Sequence, residues 1–225
     1  MKITRENFVL SVEATSPVVI SIPHDGLQKE SLFSAFRQRT RGVMGRERHV
    51  STIANDVNRY APVASIVRGL LPRVVCDYNR PEEGVEDVAY ADEGVGIYYR
   101  AYHERISSLL QRACAQYGKA RLIDLRGYTG PTAGLVLGSR NSSTCRDGYD
   151  RRALEFLENY EDRGVYAHIA RVGERFSGGY TVARHASEKV SALQIEIDAW
   201  YMEDDAQERG RVLSAILSQL IEEVP

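Results

Sequence analysis

The chain has 225 residues, 43% hydrophobic and 27% charged, with a formal net charge of -2. This balance suits a globular protein that buries its own core, and the near-neutral charge excludes a nucleic-acid binder working through an overall positive field. Three cysteines with no CxxC pair exclude a disulfide framework and a cysteine-rich zinc site.

Such cysteine usage suits a reducing cytoplasm. The opening MKITRENFVL carries no signal-peptide h-region, and no apolar run approaches the ~20 residues that span a bilayer. A soluble, cytoplasmic protein is expected.

Residues 8–14 and 18–23 read as strands. The second runs through VVISI into PHDG (23–26), where Pro and Gly mark the turn that ends it. His24 is thereby placed at the carboxyl end of a central strand, the edge where open α/β sheets bind ligands. A strand-end turn with an incidental histidine is the plainer reading. Residues 27–48 are polar and basic, with Arg37, Arg39, Arg41, Arg46 and Arg48 close together. A helix over 48–60 follows from the spacing of Val50, Ile53, Ala54 and Val57, with Pro62 beyond it.

Residues 63–67 and 73–78 read as strands, the second broken at Arg80-Pro81. An acidic loop covers 81–96. The stripe Tyr102, Ile106, Leu109, Leu110, Ala113 and Tyr117 predicts a helix over 98–117, closed by Gly118. Strands are expected at 121–125, 135–138 and 191–197, and helices at 150–160, 165–176 and 204–224. Ser177-Gly178-Gly179 reads as a flexible turn. Strands alternating with helices predict an α/β fold, a layered sheet with helices on both faces.

There is no GxGxxG, P-loop or GxSxG. Chemistry is left to polar residues at strand ends. These are His24; Asp77, Asn79 and Arg80; Asp124 and Arg126; and Glu196 within SALQIEI. Strand alternation turns Leu193, Ile195 and Ile197 to the core and Gln194, Glu196 and Asp198 outward. The opposite reading buries Glu196, which requires a partner or a task.

Several segments, in order, resemble the N-formylglutamate amidohydrolase family of zinc hydrolases, which belongs with the carboxypeptidases and aspartoacylases. They are SIPHDG (21–26), RVVCDYNRP (73–81), YHERI (102–106), LIDLRG (122–127), LGSRNSSTC (137–145), FSGGYTVARH (176–185) and ALQIEIDAWYM (192–202). The resemblance implies a single three-layer α/β/α domain over 1–225, with a mixed, mostly parallel central sheet of the zinc-carboxypeptidase kind. It implies that His24 is a metal ligand for Zn2+ and that Glu196 is the general acid or base on metal-bound water. Asn79 and Arg80 match its substrate-carboxylate grip. Arg73 matches a second anion-binding or carbonyl-polarising arginine, and Arg140 and Arg184 match arginines of its later loops. Glu47 is the best match to the acidic ligand, with Asp56 as the alternative.

These residue types fit amide hydrolysis. A catalytic zinc takes three N or O ligands and keeps one position for water. A carboxylate moves the proton, and arginine's planar fork reads a substrate carboxylate. The family's Asp-x-His ligand motif, however, reads Asp124-Leu125-Arg126 here. Arginine stays protonated and does not ligate a cation. A replacement would come from His49 or His185, while His103 and His168 read as helix residues.

Two functions are therefore expected. One is a metal-dependent hydrolase of an N-acyl, N-formyl-like amino acid or similar small acidic amide. The other is a metal-free or non-catalytic relative binding a small anion through an arginine-rich pocket.

Overall fold

Five consecutive residues, Val18–Ile22, form strand β3, buried throughout. Their alternation sends the four apolar residues to two cores. Val18, Ile20 and Ile22 enter one cluster and Val19 the other. A strand with apolar groups on both faces belongs inside a sheet covered on both sides.

The computed structural model describes residues 2–6, 8–26, 35–39, 47–59, 63–84, 87–129, 134–199 and 206–223. Among them are strands β1 Lys2–Glu6, β2 Val9–Glu13, β3 Val18–Ile22, β4 Ser65–Gly69, β5 Ala120–Tyr128, β6 Leu135–Gly138, β7 Ala167–Ile169 and β8 Val190–Asp198. The helices are α1 Arg48–Val57, α2 Gly96–Tyr117, α3 Tyr149–Glu158, α4 Tyr180–His185 and α5 Ala206–Glu223. One 8-stranded sheet runs in the order β1-β2-β4-β3-β5-β8-β6-β7. β3 pairs in parallel with β4 and β5, β5 with β8, and β6 with β7; the remaining pairs are antiparallel.

The layers follow from the two cores. Helices α1, α3 and α5 pack Ile53, Leu157 and Leu217 with Ile20, Ile123 and Leu193 on one face. Helices α2 and α4 pack Tyr102, Ile106 and Val182 with Val19, Leu122 and Ala192 on the other. The arrangement is the expected α/β/α sandwich with a mixed, mostly parallel sheet. Helix α2 ends at Gly118, which adopts φ 80, a left-handed conformation that glycine takes without strain. Tyr117, expected on the buried stripe, is exposed.

Several expectations are corrected. Residues 73–78 form no strand. Pro72 opens a turn, its carbonyl accepting from the Val75 and Cys76 amides at 2.8 and 3.0 Å, and only Cys76 makes a bridge, to Tyr90. Apolar burial there serves packing against α2, not a sheet ladder. Residues 165–176 form β7 and turns rather than a helix, because β6 offers a parallel edge and the Ala170 amide bonds the Leu137 carbonyl. His168 accordingly lies on a strand. The missed helix, α4, follows Gly179 directly. Strand β4 lies two residues beyond its expected start. Most of the basic stretch 27–48 lies outside the described residues.

Candidate active site

The polar residues gather at the carboxyl ends of β3, β5 and β8, on the face covered by α2 and α4. Alternation puts them there. Ile123 and Leu125 enter the opposite core, so Asp124 and Arg126 point to this side. On β8, Leu193, Ile195 and Ile197 do the same for Gln194 and Glu196. The expected alternation holds, but its polar side is a second buried layer. Glu196 is 2% exposed.

A cavity of about 670 Å³ opens between these strand ends, lined among others by His24, Glu47, Arg73, Asn79, Arg80, Arg126, Gln194 and Glu196. His24 stands between two carboxylates. Its Nδ1 lies 2.9 Å from Glu47 Oε1 and its Nε2 2.9 Å from Asp77 Oδ1. Glu47 precedes α1, and its carboxylate also accepts the Gly127 amide at 2.9 Å, tying the helix start to β5. Asp77 is fixed by Arg73 Nε at 2.8 Å and by the Asn79 amide at 3.0 Å.

These contacts set the protonation of the group. Burial pushes the His24 pKa down, but Glu47 and Asp77 outweigh it and raise it. Burial pushes Asp77 up, and His24, Arg73 and Arg80 together hold it well below the usual carboxylate range. Burial likewise opposes the ionised form of Glu47, which His24, the Gly127 amide and Arg126 bring below its ordinary value.

Arg126 and Glu196 form the second half of the site. They are register partners across β5 and β8. Arg126 Nε donates to Asp124 Oδ2 at 2.8 Å, and Nη1 lies 3.6 Å from Glu196 Oε1. Asp124 also accepts from Ser21 on β3. Arg126 Nη2 is buried with no hydrogen-bond partner among the described residues. Gln194 Nε2 donates to Glu196 Oε1 at 2.9 Å. Burial raises the Glu196 carboxyl to about 7, against the opposing pull of Arg126. A carboxyl poised there is suited to exchanging protons near neutrality.

The loop before α4 roofs these groups. Gly179 donates its amide to Gln194 Oε1 at 2.7 Å, and a Cβ on it would stand 2.5 Å from both Arg126 Nη2 and Asn79 Oδ1. The Ser177-Gly178-Gly179 segment therefore serves close approach rather than flexibility. Asn79 Oδ1 accepts the Thr181 amide at 2.9 Å and anchors the start of α4.

The structure brings together His24, Glu47, Arg73, Asn79, Arg80 and Glu196. Arg80 also pairs with Asp87. Arg140 and Arg184 do not line the cavity. Arg140 holds φ 50 and packs against Gly178, its amide bonding the Ser177 carbonyl, while Arg184 donates to Tyr180 Oη at 2.7 Å on the exposed side of α4. Asp56 pairs with Arg59 on α1. His185 bonds His103 at 3.0 Å inside the α2/α4 packing. The side chain of His49 lies outside the described residues. Sequence reasoning gave no role to Arg175 and Phe176, which also line the cavity with the guanidinium 4.7 Å from the ring centroid. Their place beside Gly178-Gly179 was the available signal.

A catalytic zinc would need three ligands from these side chains. His24 backed by Asp77 has the form of a metal-binding histidine with its outer carboxylate, and Glu47 faces its free nitrogen. The third place holds Arg126, a cation. Among the described residues no group of three His, Cys, Asp or Glu side chains is placed to hold a metal ion. The described residues do not complete a catalytic zinc site.

The α/β/α sandwich sets buried acidic and basic side chains together at the carboxyl ends of its central strands. The model of the N-formylglutamate amidohydrolase family matches residues 86–202, just over half of the chain, and the chain belongs to that family. The N-formylglutamate amidohydrolase of Ralstonia eutropha JMP134 is similar in structure, with TM-score 0.68 and 20% identity over 92% of this chain and 94% of that one. The Atu2144 gene product of Agrobacterium tumefaciens gives TM-score 0.68 and 15% identity over 96% and 92%. The zinc-free apo form of YNDL gives 0.52 and 14% over 95% and 88%. At these identities the likeness is one of fold. A search of the curated proteins finds no match. Among the described residues no helix is long and apolar enough to cross a membrane.

Proposed function

We propose that this chain hydrolyses the amide bond of an N-acyl amino acid, with an N-formyl or similarly small acyl group. The observation that carries the reading is Glu196, buried at the cavity wall 3.6 Å from the Arg126 guanidinium. In the reaction a water oxygen bonds to the acyl carbon and the C–N bond breaks. Glu196 takes a proton from that water and returns one to the leaving amine, the role a positioned carboxyl fills in general acid–base catalysis. Arg73 and Arg80, with Asn79 between them, read the carboxylate of the amino acid, since guanidinium forks match that group. The three unpaired cysteines, two of them buried, support a cytoplasmic setting.

The test is release of the free amino acid from N-formylglutamate and a panel of N-acetyl amino acids, by wild type and by Glu196→Gln. Turnover lost in the variant supports the reading. Absence of turnover across the panel removes it. The incomplete ligand set favours a second reading, an anion-binding relative without turnover, which the same panel identifies as binding without product.

A further inference from the structure

The acidic and basic groups of the cavity leave one position that its chemistry does not explain. Arg126 is buried, and a buried cation normally has every N–H paired. Here Nε has Asp124 and Nη1 lies near Glu196, while Nη2 has no partner among the described residues. The guanidinium lines the cavity and stands across from His24 and Glu47. Its backbone neighbour Gly127 donates to Glu47, and the Arg126 charge acts on the Glu47 carboxylate across the cavity they both line.

We propose that the Arg126 guanidinium is the resident cation of this cavity, filling the place a third metal ligand would need and donating to an oxygen of the ligand. The inference rests on the hydrolase reading only for the identity of that oxygen, the amide carbonyl of an N-acyl amino acid. A fixed positive charge in a buried site polarises a carbonyl and stabilises the negative charge that grows on it as water adds. Asp124, itself fixed by the Ser21 hydroxyl, holds the guanidinium in place, so its position does not depend on ligand. A dication brought to His24 and Glu47 would meet this charge, with no third donor placed for it among the described residues.

The test is zinc binding by the full chain, measured by calorimetry with zinc chloride and by native mass spectrometry. Wild type is expected to take up no stoichiometric zinc. Arg126→His is expected to take up one zinc per chain, and His24→Ala in that background to lose it. One zinc per wild-type chain, removed by His24→Ala, overturns the proposal. So does a folded Arg126→His protein that takes up none. A second measurement needs no metal. In the Glu196→Gln background, Arg126→Gln is expected to weaken binding of N-formylglutamate at least about tenfold, the size of one lost charge-assisted hydrogen bond. Unchanged affinity overturns the ligand contact. Zinc uptake and turnover are separate readouts, so a failed hydrolysis assay removes the hydrolase reading and leaves the metal result standing.

Discussion

Arg126 and Glu196 face each other from adjacent parallel strands, Nη1 3.6 Å from Oε1, at the same register position of β5 and β8. The pairing fixes how each group behaves. Arg126 pulls the Glu196 carboxyl down, and burial pushes it up further, to about 7. Activity that uses the ionised carboxylate therefore rises with pH through about 7. With Arg126→Gln the downward pull is lost, and the rising limb of kcat/KM moves to higher pH. A limb that stays in place would assign it to another group.

Glu196 also costs stability when ionised. Its folded pKa lies above the ordinary carboxylate value, so the proton is held more tightly in the folded state. The stabilisation is present below the unfolded value of ~4.3 and is lost as pH rises toward about 7. Glu196→Gln keeps the shape and removes the charge, and Arg126 keeps Asp124. The variant is expected to lose turnover by about a hundredfold or more. Its Tm at pH 8 should rise by roughly 3–8 °C, with little change at pH 5. Thermal melts at the two pH values check this.

Arg73 and Arg80 are proposed to read the ligand carboxylate. Alanine at either is expected to raise KM for N-formylglutamate about tenfold to a hundredfold, with a smaller effect on kcat. An N-acyl amino acid amide, lacking that carboxylate, should discriminate poorly between wild type and variant. Steady-state kinetics on the two substrates decide it.

Gly179 has no room for a methyl group, since its Cβ would stand 2.5 Å from Arg126 Nη2 and Asn79 Oδ1. Gly179→Ala is expected to destabilise by about 1–3 kcal/mol, the usual cost of overpacking. It should also weaken ligand binding through the displaced guanidinium. Urea unfolding and calorimetry measure the two effects.

Acid should unfold the α2/α4 layer through His103 and His185. His103 Nε2 lies 3.0 Å from the Tyr78 carbonyl, His185 Nδ1 lies 3.4 Å from Ser107 Oγ, and both rings are buried. Burial and the nearby Arg184 charge lower His185 to about 4; burial, His185 and Arg184 put His103 well below its ordinary value. A depressed histidine pKa means that the unfolded chain binds protons first. Stability is then level above ~6.5 and falls as pH drops from there toward about 4, by on the order of 3 kcal/mol for His185. His24 has the opposite sign: Glu47 and Asp77 raise it, so its contribution is gained as pH falls to ~6.5 and stays constant below, outside the window in which His185 acts. His185→Asn should flatten the dependence between pH 6.5 and 4 in urea titrations.

The strand–helix alternation was legible because β3, β5, β8, α2 and α5 carry clear apolar patterns. Residues 73–78 and 165–176 misled because apolar spacing reports burial, and burial there is met by turns and by a three-residue edge strand. His24, Glu47 and Glu196 were found as candidates from their strand-end placement and family resemblance. Arg126 stood out only as a departure from the expected histidine. Its pairing with Glu196 depends on β5 lying beside β8, a long-range register no local window contains. Gly179 was read for freedom when its task is lack of bulk, which only the packed loop reveals.

The Ser21–Asp124–Arg126 set bridges β3 and β5 through buried side chains at the cavity wall. Loss of Asp124 would strand a buried guanidinium, and loss of Arg126 would strand a buried carboxylate. Selection on such residues acts through folding before it acts through turnover. A descendant that abandoned its substrate would still carry these charges, and a descendant changing its ligand would do so at exposed positions of the cavity lining such as Arg175.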